Sequence, residues 1–181
     1  RLESEYRGAQ LSEMDLDALL MWHPKLVLVD ELAHTNAPGS RHSKRYQDVL
    51  ELLDSGIDVF STVNVQHVES RAETVRQITG VAVRETVPDS VLDAADELVL
   101  VDLTPEQLRA RLAAGCVYIG DRAAAAADNF FREGNLTALR EMALRFVAEH
   151  VDRDLREIMQ AQRIAGPWKT GDRLLVGVSA S

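Results

Sequence analysis

The run Leu26-Val27-Leu28-Val29 is apolar at every position. Such a strand has no polar face to turn toward water. It demands cover on both sides, the condition met in parallel sheets flanked by helices. The neighbouring segments supply candidates for that cover. Met14, Leu16, Leu19 and Leu20 recur at helical spacing between Glu13 and Trp22, with Ser12 as N-cap, and His23-Pro24 breaks this helix before the strand. After the strand, "KRYQDVLELLDSG" sets Tyr46, Val49, Leu50 and Leu53 on one helical face, with Gly56 as terminator. The β-branched and aromatic content of Ile57 to Val65 predicts a second strand. Val68, Ala72, Val75 and Ile78 then mark a third helix stopped by Gly80.

The alternation continues. Val81 to Val87 reads as extended, Pro88 to Ala94 as a short helix and Glu97 to Leu103 as a strand. Thr104-Pro105-Glu106-Gln107 is a helix start, with a threonine cap, proline in the first turn and glutamine at the box position. That helix ends at Gly115, and "CVYIG" is a brief strand in which Cys116 is a small core residue. Beyond Gly134-Asn135 a long helix is predicted from Leu136 to Ile164. It carries Leu139, Met142, Phe146, Val151, Leu155, Ile158 and Met159 at roughly helical spacing. It reads either as a helix packed on the sheet or as a connecting, dimer-forming one.

The fold class is therefore α/β: a mostly parallel sheet with helices on both faces and a long C-terminal helix. The expected organisation is an α/β regulatory domain over 1–135, the long helix and linker over 136–168, and the opening strand of a further domain, "RLLVGVSAS", within 169–181. Arg1 at one end and this lone strand at the other lead us to expect a fragment. The net charge of −9, with basic residues interspersed among acids, argues against nucleic acid, which needs a basic stripe. A single cysteine permits no internal disulfide. No apolar run reaches the roughly 18–20 residues that cross a bilayer.

The strand tip carries the chemistry. Asp30 and Glu31 follow Val29 directly, at the edge where open parallel sheets bind ligands. Four apolar residues followed by Asp-Glu is the pattern of the Walker B element of P-loop ATPases. Asp30 can hold Mg²⁺ through its waters, because Mg²⁺ keeps much of its hydration shell. Glu31 can orient or deprotonate a water attacking the terminal phosphate of ATP. Asn64, Gln66 and His67 end the next strand, where a polar residue meets a γ-phosphate or the attacking water, or where Asn64 merely caps a turn. Arg41 and Lys44, in the loop after Asp30-Glu31, face phosphate or solvent. His34, His42 and His67 with the two acids raise a zinc reading, although no spacing matches a zinc signature. Nor does any stretch match G-x-x-x-x-G-K-[ST], the phosphate loop itself.

Four stretches, "EYRGAQLSEMDLDALL", "LVLVDELAHTNAPGSRHSKRYQDVLELLDSGIDVFSTVNVQHVES", "QITGVAVRETVPDSVLDAADELVLVDL" and "NFFREGNLTALREMALR", resemble the N-terminal cytosolic domain of the KdpD potassium/osmotic sensor kinases. They cover most of Tyr6 to Arg145. The resemblance implies an ATP-binding, P-loop NTPase-like regulatory domain whose Walker B acids match Asp30 and Glu31 and whose Walker A segment lies upstream. A universal-stress-like domain, four membrane helices and a histidine-kinase module would follow. It further implies a place on the cytoplasmic face of the membrane, with the kinase's own modules, a response regulator and a homodimer through the parent kinase as partners. None of the five histidines here corresponds to the phospho-acceptor. Two other readings stand beside this one: an ATPase with turnover, resting on Glu31, and a docking scaffold in which neither acid matters.

Overall fold

The computed structural model describes residues 2–6, 9–116 and 130–162. The chain divides into two compact units, 1–147 and 148–181. Within the first, β1 (Leu2–Tyr6) and β2 (Ala9–Glu13) form an antiparallel hairpin, with Leu2 opposite Glu13 and Tyr6 opposite Ala9. This corrects the expected helix start. Residues up to Glu13 are in strand, so α1 covers only Leu16–Trp22 and takes its cap from Asp15, whose Oδ1 accepts the Ala18 N–H at 3.1 Å. Ser12 is not the cap.

The centre is one parallel β-α-β unit. Strand β3 (Leu26–Val29), helix α2 (Arg45–Asp54) and strand β4 (Asp58–Ser61) follow in order. The strands pair with Leu26 opposite Asp58 and Val29 opposite Ser61. Parallel neighbours need a crossover, and α2 with its loops provides it. Val27 and Val29 are buried, whereas Leu28 is 76% and Phe60 68% exposed. The two-sided apolar strand is thus covered on one face only among the described residues, and the α/β class rests on a parallel sheet of two strands. Helix α2 also turns differently from expectation. Val49 and Leu52 face the core, while Leu50 and Leu53 lie on the outer side.

Strand β4 is shorter than the run to Val65 predicted. The chain leaves the ladder after Ser61 and enters two 3-10 turns, Val65–His67 and Glu69–Arg71, before α3 (Ala72–Thr79). Gly80 ends α3 at φ 73°, a left-handed cap that glycine adopts without a Cβ penalty. Val68 and Val87 form one parallel bridge, closed by Glu69 N–H to Val87 O at 3.0 Å and Val87 N–H to His67 O at 2.8 Å. Then come α4 (Asp89–Asp93) and α5 (Pro105–Ala113), the latter with both halves of the Thr104–Gln107 capping box in place. The expected strand from Glu97 to Leu103 does not form. Nothing in the described residues pairs with it, and Val99 and Val101 are exposed. Cys116 is exposed rather than a core residue.

Helix α6 spans Glu133–Ala161, so Gly134 and Asn135 lie inside its first turn rather than before it. Leu136, Leu139, Met142 and Phe146 are its buried stripe within the first unit. Phe146 joins the main core with Leu52, Ile57, Val68 and Val87, while Leu139 and Met142 close a second cluster around Val75. Burial of each such side chain is worth roughly 1.5–3 kcal/mol. The predicted end of this helix at Ile164, the remainder of "CVYIG" and "RLLVGVSAS" lie outside the described residues.

Candidate functional site

Strand β3 delivers Asp30 and strand β4 delivers Thr62, each one residue past the carboxyl end of its strand. The Thr62 hydroxyl donates to Asp30 Oδ1. The Glu31 N–H is shared between Asp30 Oδ1 at 3.0 Å and Thr62 Oγ1 at 3.1 Å. Glu31 pays for this arrangement in backbone conformation. Its φ is 53°, a left-handed value that is uncommon for a residue with a Cβ. Leu32 and Ala33 are buried immediately afterwards, and Leu32 N–H bonds Thr62 O at 2.9 Å. The tip is therefore anchored from below, leaving both acidic side chains exposed above it.

Both acids line a cavity of about 400 Å³ together with His34, Thr62, Asn64, His67 and Glu85. His67 closes one side. Its Nδ1 donates to the Glu85 carbonyl at 2.8 Å, and the Gln66 amide stands 3.4 Å from Nε2. The Glu85 carboxylate reaches across to accept the Thr35 N–H at 2.8 Å, and Lys44 Nζ donates to the Thr35 hydroxyl at 2.7 Å. Burial raises the Glu85 pKa, but the Thr35 hydroxyl and amide, with His34 and Lys44 nearby, outweigh it and hold the carboxyl below its ordinary value.

A second network braces the loop behind the cavity. Glu13, buried at the end of β2, accepts from His34 Nε2 at 3.1 Å, Ala37 N–H at 3.0 Å and Arg45 Nη2 at 3.3 Å. Arg45 also donates to the Asp30 carbonyl at 2.9 Å, joining this network to the strand tip. Asn36 is buried and donates to Asp48 Oδ2 at 2.7 Å.

Of the residues singled out in the sequence, Asp30, Glu31, Asn64, His34 and His67 share the cavity. Asn64 precedes the first 3-10 turn without capping it through its side chain. Arg41 and His42 turn elsewhere: Arg41 pairs with Asp17 and Glu51, and His42 Nε2 lies 2.7 Å from Glu51. The three histidines that raised a zinc reading thus take separate carboxylate or carbonyl partners. Among the described residues no group of three or more His, Cys, Asp or Glu side chains could hold a metal. Sequence reasoning missed Thr62, Glu85, Glu13 and Arg45. Thr62 was findable, since parallel pairing with β3 puts the residue after Ser61 beside Asp30. Glu85 carries no periodic signal.

The donor set fits a hydrated Mg²⁺, which takes hard oxygen ligands and binds proteins through one or two carboxylates. Asp30, Glu31 and Thr62 offer such oxygens. The lining fits the phosphate side of a nucleotide less well. It holds three carboxylates and neither lysine nor arginine.

Fold and site together define an α/β domain with an acidic, oxygen-rich cavity beyond the carboxyl ends of two parallel strands. A family model described as "KdpD: Osmosensitive K+ channel His kinase sensor domain" matches residues 1–151, and the chain belongs to this family. It is 56% identical over 171 residues to Sensor protein KdpD of Escherichia coli K12, covering 94% of this chain and 19% of that protein. To Sensor protein KdpD of Mycobacterium tuberculosis H37Rv it is 53% identical over 175 residues, covering 97% of this chain and 20% of that protein. A putative sensor protein KdpD of Synechocystis is 50% identical over 174 residues, covering 96% of this chain and 46% of that protein. The chain therefore spans about a fifth of the length of the first two relatives. Among the described residues no helix is long and apolar enough to cross a membrane.

Proposed function

We propose that this chain is the ATP-binding regulatory domain of a two-component sensor histidine kinase, with a P-loop NTPase-like fold. In this reading it lies on the cytoplasmic face of the membrane, responds to potassium limitation or osmotic stress, and adjusts expression of a potassium-transport operon. Its partners are the membrane and kinase modules of the parent protein, a response regulator, and a second copy through the kinase. Family membership supports the signalling half. The observation that carries the nucleotide half is the fixed pair at the strand tip: Asp30 held by Thr62, with Glu31 beside it on the cavity wall.

In that site Asp30 would hold Mg²⁺ through its waters and Asn64 would meet the terminal phosphate. Bound Mg²⁺ would neutralise phosphate charge that the acidic lining otherwise repels. A phosphate loop upstream would supply the remaining contacts. To carry a signal, the nucleotide must bind one conformation better than another.

A second reading, ATP turnover, is favoured by Glu31. An exposed acid held in a left-handed backbone at a cavity edge is the type of local strain that recurs at functional sites. Calorimetric titration of Mg-ATP into the full-length sensor and its Asp30→Asn variant tests binding. Heat with wild type and at least tenfold weaker Mg²⁺-dependent affinity in the variant supports the site. No heat with wild type overturns it. Phosphate release that Glu31→Gln abolishes while binding persists would establish turnover.

A further inference from the structure

We infer that Thr62 leaves Asp30 only one oxygen for a cation and thereby sets a preference for Mg²⁺ over Ca²⁺ at the strand tip; this rests on the reading of Asp30 as the metal carboxylate. The inference starts from lone pairs. A carboxylate oxygen accepts about two hydrogen bonds. Asp30 Oδ1 already has two donors, the Thr62 hydroxyl and the Glu31 N–H at 3.0 Å. Oδ2 takes no hydrogen bond from the described residues. Only Oδ2 is therefore open to a cation or to one of its waters. Clamping an ion between both oxygens would require a bond at Oδ1 to break.

Thr62 is itself firmly held. Its N–H bonds Val29 O at 3.3 Å, and its carbonyl accepts the Leu32 N–H at 2.9 Å. Its hydroxyl donates to Asp30 and accepts the Glu31 N–H at 3.1 Å. Asp30 is fixed from the other side by Arg45, which donates to its carbonyl at 2.9 Å. A carboxylate pinned in this way presents one oxygen in one place and cannot swing to chelate. The two common divalent cations differ in what they ask of such a group. Ca²⁺ collects roughly six to eight oxygens in adaptable geometry and often takes a carboxylate through both of them. Mg²⁺ keeps several waters and binds through one or two carboxylates. The surroundings add no cage for the larger ion, since among the described residues no group of three or more His, Cys, Asp or Glu side chains could hold a metal. Rigidity and scarcity of ligands both favour the small, hydrated ion.

Substitutions at Thr62 separate this positioning role from scaffolding. Thr62→Val keeps the branched shape and removes the hydroxyl, freeing a lone pair on Oδ1. Thr62→Ala also removes it and repeats the test should the valine variant fail to fold. Thr62→Ser keeps the hydroxyl. The readout is Mn²⁺ bound by the full-length sensor in phosphate-free buffer, followed by loss of the free-ion electron paramagnetic resonance signal. Bound Mn²⁺ is then displaced with Mg²⁺ or with Ca²⁺, and the Asp30→Asn variant gives the background from every other site. Above that background, wild type should release Mn²⁺ to Mg²⁺ at a concentration about tenfold or more below that needed for Ca²⁺. Thr62→Val should narrow that ratio by about threefold or more, and Thr62→Ser should keep it. A merely structural defect would weaken both ions alike, so an unchanged ratio in the hydroxyl-free variants overturns the inference. A wild type that yields equally to the two ions, or more readily to Ca²⁺, also overturns it while leaving the metal reading of Asp30 intact. Wild type binding no more Mn²⁺ than Asp30→Asn overturns both.

Discussion

His34 Nε2 lies 3.1 Å from Glu13 Oε1, tying the loop beyond the strand tip to the end of the hairpin. Burial raises the Glu13 pKa, but His34, the Ala37 amide and Arg45 outweigh it, so the carboxyl titrates below its ordinary 4.5. A carboxyl lowered by folding stabilises the native state fully above its unfolded value and loses that contribution as pH falls through the lowered one. Glu13→Gln should therefore cost about 1–3 kcal/mol at neutral pH. The gap from wild type should narrow as pH drops below 4.5. Urea unfolding at neutral and acidic pH reads both effects, and equal midpoints at neutral pH would contradict the first.

Asp48 has the opposite sign. Burial pushes its pKa above 3.8, and the Asn36 amide, His42 and Arg45 only partly offset this. The folded state then holds the proton more tightly than the unfolded one, so the contribution of Asp48 to stability declines as pH rises from 3.8 through the raised value. Asparagine can still accept the Asn36 hydrogen bond without that penalty. Asp48→Asn should change stability by less than about 1 kcal/mol at neutral pH and flatten the pH profile in this window. A loss of several kcal/mol would show that the charge itself is needed.

The two faces of β3 should respond unequally. Val29 is 6% exposed and Leu28 76%. Val29→Ala should cost about 1–3 kcal/mol through lost burial and a residual cavity, whereas Leu28→Ser should stay within about 0.5 kcal/mol. Thermal unfolding of both variants decides this. A large cost for Leu28→Ser would mean that the outer face is covered in solution.

Glu31 should behave as a site residue that costs stability. With φ at 53°, glycine is the residue that removes its strain. Glu31→Gly should leave stability unchanged or raise it by up to about 1 kcal/mol, by differential scanning calorimetry. A clear loss would show that the glutamate side chain supports the fold.

The fold was legible where a residue's own neighbours decide its structure. The Leu26–Val29 strand, the Thr104 cap and the Gly80 stop follow from local chemistry, and each is present. It was illegible where a distant partner decides. Glu97 to Leu103 has the composition of a strand, but a strand also needs a neighbour, and Val99 and Val101 meet water among the described residues. Ser12 looked like a cap because nothing local reveals that Ala9–Glu13 pairs with Leu2–Tyr6. In the site, Asp30 and Glu31 stood out as adjacent acids after an apolar run. Glu85 did not, because its role is a bond to the Thr35 amide fifty residues away.

That bond has a kinetic meaning. The β3–α2–β4 unit closes over about thirty residues, the cavity wall over fifty. Loop-closure entropy grows slowly with length, so the longer closure weighs little on final stability but postpones the contact during folding. A refolding chain should acquire its parallel strands first and its cavity last. By the same reasoning the Thr35 amide should exchange with solvent through a partial opening that leaves the Val29 amide protected. Pulse-labelled hydrogen exchange would show the order, and simultaneous protection of both amides would contradict it. The cavity wall would then open at lower cost than the strand pair beneath it.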